Sequence, residues 1–189
     1  MVELPEKLIA VSDTGPLISA FQCNRIDLLW RYFVRIHLPP SVMTELEQHG
    51  ARDEIQQLLA QDLFRVEHLS AQEATQARQI AEQIASFPLT RVRDHTHHLP
   101  EAQAIVLMQR PNLRADRILL EEEAARQIAD NLNIPITGFI GVLLLACADG
   151  LLSPKGMTDL LETCRQQGTR YSNLLVAEAV KRCREVSTQ

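Results

Sequence analysis

The ten residues from Leu8 to Leu17, LIAVSDTGPL, restrict this chain more than any other stretch. A short apolar run, Leu8-Ile9-Ala10-Val11, passes into Ser12-Asp13-Thr14 and is then broken by Gly15-Pro16. That pattern predicts a buried strand with an aspartate at its carboxyl end, followed by a turn that opens a helix. In open α/β sheets, ligands gather just beyond the carboxyl ends of the strands, which places Asp13 to hold a metal ion or act as a base. A plainer role is open to it as well, because an aspartate there can cap the following helix.

The rest of the chain alternates in the same way. Leu17 to Trp30 has helical apolar spacing with Asn24 as a break or cap, and Val34 to Leu38 is a second strand. Pro39-Pro40-Ser41 starts a helix that stops near Gly50. Arg52 to Gln61 continues helically, and Leu63 to Leu69 is a short strand candidate. Ser70-Ala71-Gln72-Glu73 forms a capping-box pattern that opens a helix to about Ser86. A polar loop, Phe87 to Leu99, precedes a helix with Pro100 in its first turn. Arg117 to Leu120 is a compact strand candidate ending in Glu121-Glu122-Glu123, and a helix follows to about Asn131. Ile134 to Thr137 is a further strand, Phe139 to Ala148 a buried helix, and Pro154 to Gln167 and Ser172 to Arg184 are two helices separated by Gly168. Strands alternating with helices imply right-handed crossovers and a parallel sheet.

Composition narrows the function classes. The 189 residues are 46% hydrophobic and 23% charged with a formal net charge of −5, so any nucleic-acid binding has to come from a local basic patch. The apolar stretch Ile134 to Leu152 is interrupted by Thr137, Gly138, Asp149 and Gly150, which suits a strand and a core helix rather than a membrane span. Glu3, Pro5 and Glu6 are unlike the start of a signal peptide. Cys23, Cys147, Cys164 and Cys183 have no zinc-finger or CxxC spacing, and are expected as free or buried thiols in a reducing cytoplasm. There is no P-loop, GxGxxG or GxSxG pattern to support a nucleotide-dependent or serine-hydrolase activity.

Acidic residues recur where the alternating architecture would bring them together: Asp13 after the first strand, Glu45 in the helix after the second, Glu101 in the first turn of a helix, and Glu121 and Glu122 after a later strand. With DTGPLI at Asp13 to Ile18, LPPSVMTELE at Leu38 to Glu47, HLPEAQAIVL at His98 to Leu107, and ILLEEEAARQIA at Ile118 to Ala129 followed by ITGFIGVLLLA, the chain resembles the PIN domain family, in particular a VapC-like branch of PIN-like proteins. The resemblance spans Leu8 to Gly150, about three quarters of the chain.

The resemblance implies a ribonuclease that uses Mg²⁺ or Mn²⁺ held by acidic side chains. Carried over by position, Asp13 is the first acid, Glu45 the second and Glu101 the third. The fourth falls on Glu121 or Glu122, and both remain candidates for ligation, with Glu122 assigned to catalysis. Hard divalent cations favour such oxygen ligands. The resemblance also implies an RNA substrate, a cognate antitoxin protein and a homodimer. Three positions depart from the family pattern: related sequences place aspartates at Glu121 and Glu122, and commonly a second acid at Gln103. Glutamate carries its carboxylate about 1.5 Å farther from the backbone than aspartate.

Other residues have two uses each. Asp94-His95-Thr96-His97-His98 offers zinc-type ligands without a spaced partner elsewhere, so a solvated loop at the mouth of the acidic cleft, touching RNA or a partner, is the better reading. Arg91, Arg93, Arg110, Arg114 and Arg117 could contact phosphate or form a scattered solvated surface. Arg126 could orient a carboxylate or simply favour its helix. Ser12, Thr14 and Thr137 could bond a ligand carboxylate or serve as caps and turn formers.

The expected fold is α/β: a PIN-like three-layer arrangement with a central, mainly parallel sheet of about four or five strands flanked by helices. Residues 1–150 form the PIN-like domain, and 151–189 a helical C-terminal extension packed on it. The expected activity is metal-dependent cleavage of RNA phosphodiester bonds, with a non-catalytic nucleic-acid-binding or regulatory subunit as the alternative and DNA as a further possible substrate.

Overall fold

The computed structural model describes residues 7–49, 52–88 and 90–187. The reading of Glu3, Pro5 and Glu6 and the helix stop at Gly50 lie outside the described residues. The first half contains β1 (Leu8–Ser12), α1 (Thr14–Gln22), α2 (Ile26–Tyr32), β2 (Phe33–Leu38), α3 (Pro40–Gln48), α4 (Arg52–Ala60), β3 (Phe64–Val66) and α5 (Ala71–Ser86). The second contains α6 (Leu99–Met108), β4 (Arg117–Leu119), α7 (Glu123–Asn131), β5 (Ile136–Thr137), α8 (Phe139–Ala148), α9 (Pro154–Gln166) and α10 (Asn173–Val186).

The five strands are all parallel and run in the order β3-β2-β1-β4-β5. Alternate residues point to opposite faces, and both faces are covered. Ala10 of β1 and Leu119 of β4 enter a core with α1 to α4 and α8 to α10. Val11, Ile118 and Leu120 enter a second core with α5 to α7. This is a three-layer α/β fold, as expected. The chain builds the sheet outward from β1 through β2 to β3, then crosses back to place β4 on the other side of β1. Right-handed crossovers running in opposite directions put their helices on opposite faces, which accounts for the two layers.

Local sequence explains the element ends. Asn24 breaks the first helical stretch with φ 52, a left-handed conformation that asparagine tolerates. The first helix starts at Thr14, so Gly15 and Pro16 lie within its first turn rather than before it, where the fixed φ of proline suits the helix. Ser70 and Glu73 form the reciprocal capping box. The edge strands β3 and β5 are shorter than the apolar runs around them, which limits exposed pairing surface. The polar loop before α6 contains one 3-10 turn, His95–His98.

The helices α9 and α10 bury Met157, Leu161, Cys164, Ala179 and Cys183 in the same core as α1 and α2. Gln22 and Gln167 exchange side-chain to carbonyl hydrogen bonds of 3.1 and 2.8 Å, tying the end of α1 to the end of α9. One expectation is overturned here. Cys147 and Cys183 form a disulfide between α8 and α10, while Cys23 and Cys164 are free and buried. The spacing gave no sign of it because the pairing depends on α10 folding back onto α8, which brings the two Cα atoms to 5.5 Å. No helix among the described residues is long and apolar enough to cross a membrane.

Candidate active site

The strand order reverses between β1 and β4, and the acidic residues collect at the carboxyl ends of these two strands. The seam is closed by the Asp13 N–H, which donates to the Leu119 carbonyl at 3.0 Å. Asp13 occupies the cap position of α1, yet its side chain makes no capping hydrogen bond. It is only 3% exposed, and its Oδ1 has no hydrogen-bond partner among the described residues. Burial above all, then the charges of Glu101, Glu121 and Glu45, hold the Asp13 carboxyl well above the usual range.

Glu101 reaches the same place from the first turn of α6. Its Oε2 is likewise buried without a partner. Burial pushes its carboxyl up to about 7, helped by the charges of Glu45 and Glu122. Glu45 comes from α3 on the opposite side of the sheet. The position of α3 is set partly by Ser41, whose hydroxyl donates to the Gln103 side-chain oxygen at 2.7 Å. Gln103 thus joins α3 to α6.

Glu121 and Glu122 follow β4 and divide their work. Glu121 Oε1 accepts from the Phe139 N–H at 3.1 Å and from the Tyr171 hydroxyl at 3.0 Å. Burial raises its carboxyl, and the Tyr171 and Phe139 bonds oppose that rise. Its Oε2 faces Gly15, where a Cβ would lie 3.4 Å from that oxygen and 3.8 Å from Asp13 Oδ2. Gly138 flanks the other side, where a Cβ would lie 3.5 Å from Glu121 Cγ and 3.6 Å from Arg126 Nη1. Glu122 caps α7 by accepting the Ala125 N–H on Oε2 at 2.6 Å.

Asp13 feels the charges of Glu101, Glu121 and Glu45, and Glu101 those of Glu45 and Glu122, so the five carboxylates lie within electrostatic reach of one another, and two of them keep a buried oxygen unpaired. Thr14 Oγ1 is a third such atom beside them. Buried polar atoms are normally paired, and a cluster of like charges out of water is costly. A hard divalent cation fits this all-oxygen donor set and the space that Gly15 leaves open. The carboxylates would have to draw inward to hold it, since no three His, Cys, Asp or Glu side chains among the described residues already form a metal-ligand group.

The conspicuous polar residues sort themselves out. Arg117 and Arg126 line a cavity of about 750 Å³ together with Glu121, Glu122, Arg170 and Tyr171. Arg126 Nη1 donates to the Leu120 carbonyl at 2.7 Å. Arg91 lines a neighbouring cavity. Arg110 is not free for phosphate, since it forms two bonds of 2.6 and 2.7 Å to Glu73. Arg93 holds the carbonyls of Ala85 and Phe87, and Arg114 ends a 3-10 turn. Thr137 accepts from Arg117 at 2.8 Å, and Ser12 donates to the Asp13 carbonyl at 2.8 Å. In the histidine loop, Asp94 accepts from the Thr96 N–H and hydroxyl, and His98 is buried.

Arg170 and Tyr171 escaped the sequence reading. They lie in the connection between α9 and α10, about 50 residues beyond the last acid. Their only sequence signal is an Arg-Tyr pair directly ahead of the helix-capping Ser172.

No significant match is found among curated proteins or among solved structures. A family model described as DUF3368, a PIN domain, matches residues 9–185. That match takes in every acidic residue of the site as well as Tyr171, and the chain belongs to the PIN domain family.

Proposed function

We propose that this PIN domain is a metal-dependent endoribonuclease. The observation that carries the reading is the pair of unpartnered buried oxygens on Asp13 and Glu101, set among three further carboxylates at the point where the strand order reverses. Ligands of open α/β sheets bind at such points. Mg²⁺ or Mn²⁺ held by Asp13, Glu45, Glu101, Glu121 and Glu122 would supply the positive charge that activates water and stabilises the departing oxyanion. The chain's own groups do the rest. Asp13, Glu45, Glu101 and Glu122 would hold the cation and orient the attacking water, and Tyr171 and the Phe139 N–H hold Glu121 in place. Arg117, Arg126 and Arg170 give the neighbouring cavity the positive charge that a phosphate backbone needs, although the chain as a whole is acidic.

The experiment is Mn²⁺ calorimetry on the wild type and Asp13→Asn, with cleavage of structured RNAs in parallel. Binding and cutting that are both lost in the variant would support the assignment, and full cutting by the variant would refute it. By resemblance we further propose a toxin that works as a homodimer and is silenced by a small antitoxin protein. Light scattering and co-purification with a neighbouring gene product test those two points.

A second reading has its own observation. Glu121 Oε1 and Glu122 Oε2 are already engaged, by Tyr171 and Phe139 and by the α7 cap. A domain in which those bonds outlast metal addition would act as a non-enzymatic nucleic-acid-binding or regulatory subunit. Absence of Mn²⁺ binding by the folded wild type would select this reading.

A further inference from the structure

The cavity beside Glu122 has a wall that phosphate alone does not explain. It encloses about 600 Å³ and shares Glu122, Arg170 and Tyr171 with the arginine-lined cavity. Thr90 and His98 line it and are 7% and 6% exposed. The buried atoms Thr90 Oγ1 and His98 Nδ1 have no hydrogen-bond partner among the described residues. His98 Nε2 lies 2.9 Å from the Val92 carbonyl oxygen, and only a donor can satisfy that contact. Nε2 is therefore the nitrogen that carries the hydrogen, and in that tautomer Nδ1 presents a lone pair.

Both atoms lie just beneath the cavity surface, so a small opening of this wall would offer one acceptor and one hydroxyl able to give or take a hydrogen bond. Phosphate oxygens are acceptors and cannot satisfy Nδ1. A nucleobase edge can, because every base carries an N–H donor next to an acceptor, and its flat face suits the rings of Phe87 and Tyr171 on the same cavity. Arg91 and Arg170 are available for the adjoining phosphates. We propose that this cavity is a nucleobase subsite in which Thr90 and His98 read the edge of a base flanking the scissile phosphate. The proposal rests on the ribonuclease reading and assigns to the same site the feature that would give it sequence preference.

The test uses a random-sequence single-stranded RNA pool with the wild type, Thr90→Val and Thr90→Ser. One sample is cut in Mn²⁺ and its new ends are sequenced. A second is bound in Ca²⁺, and the retained sequences are read. The expected result is a base bias at one position beside the cut, reduced about three- to tenfold in Thr90→Val and kept in Thr90→Ser, as loss of a single base-edge hydrogen bond implies. A bias unchanged in Thr90→Val, or cutting with no bias, overturns the subsite and leaves the ribonuclease standing. A Thr90-sensitive bias in the bound pool without any cutting supports the subsite and removes the ribonuclease. No cutting and no retention overturns both. Thermal melts of all three proteins identify a variant that has lost its fold, and His98→Gln then serves as the second probe.

Discussion

The Tyr171 hydroxyl donates to Glu121 Oε1 at 3.0 Å and lies 2.9 Å from Ser19 Oγ, so a residue in the α9–α10 connection fixes a carboxylate at the end of β4. Each hydroxyl has one hydrogen. Ser19 can donate to Tyr171 while Tyr171 donates to Glu121, and the chain of bonds leaves Glu121 Oε2 turned toward Gly15.

Replacing Tyr171 by phenylalanine keeps the ring and removes this hold. Stability should fall by about 1.5 to 3 kcal/mol, the usual value of a hydrogen bond to a charged group. Cleavage should drop about tenfold with little change in KM, because a slightly misplaced ligand acts on the chemical step. Urea melts and steady-state kinetics measure the two effects.

Asp13→Asn removes a buried carboxylate that is pressed by three others. In metal-free buffer at pH 7 the variant should melt about 2 to 4 °C above the wild type, corresponding to roughly 1 kcal/mol in a domain of this size. Adding Mn²⁺ should raise the melting temperature of the wild type and leave that of the variant unchanged. A scanning fluorimetry titration shows both.

The sign of the pH effect follows from Glu101, whose carboxyl is raised from 4.5 to about 7 in the folded chain. Below 4.5 the group is protonated whether the chain is folded or not, and its contribution to stability is fully present. That contribution is lost as the pH climbs to about 7, because ionisation is easier in the unfolded chain. Metal-free stability should therefore decline across this window. Glu101→Gln should flatten the decline, and Mn²⁺ should oppose it most at the upper end. Denaturant midpoints from pH 4 to pH 8 test the slope.

Gly15 lies in a helix, and a Cβ there would make ordinary contacts of 3.4 and 3.8 Å with the Glu121 and Asp13 oxygens. Gly15→Ala should fold with unchanged or slightly higher stability, since alanine is the better helix former by up to about 1 kcal/mol. Its methyl group faces the carboxylates, so Mn²⁺ affinity should weaken about tenfold if the cation sits where the proposal puts it. Calorimetry decides, and unchanged affinity would move the cation elsewhere.

The disulfide closes a loop with a sequence separation of 36. Cys183→Ser should cost about 2 to 4 kcal/mol, the usual range for removing a cross-link of this kind. Alkylation of the unreduced, denatured protein should label Cys23 and Cys164 and spare Cys147 and Cys183. Labelling of all four would show that the pair is reduced under the conditions used.

The sheet was legible because its strands are buried on both faces. Leu8 to Val11 and Ile118 to Leu120 read as short continuous apolar runs with acids just beyond their carboxyl ends. Edge strands were less legible, because the point where pairing stops depends on the neighbouring strand: β5 keeps only Ile136 and Thr137 of a longer run. Asp13, Glu101, Glu121 and Glu122 could be located after a strand or at a helix start and Glu45 within the helix after β2, because each of these elements has its own local pattern. Arg110 could not be assigned, since its pairing with Glu73 depends on how α5 packs against α6. Tyr171 and the Cys147–Cys183 bond were hidden for the same reason: both depend on where the last helices dock, and no local pattern records that.

The distance along the chain between Glu121 and Tyr171 also sets a schedule for assembly. During synthesis from the N-terminus, the acidic end of β4 emerges 50 residues before the hydroxyl that secures it. At about 5 to 20 residues per second, the ribosome takes about 2 to 10 s to cover that gap. Through the later part of that interval a nascent chain can hold its central strands, all five carboxylates and the Phe139 N–H while Glu121 still lacks its Tyr171 tether. The site reaches its finished geometry among the last events of synthesis, when the turn carrying Tyr171 has left the ribosome and docked.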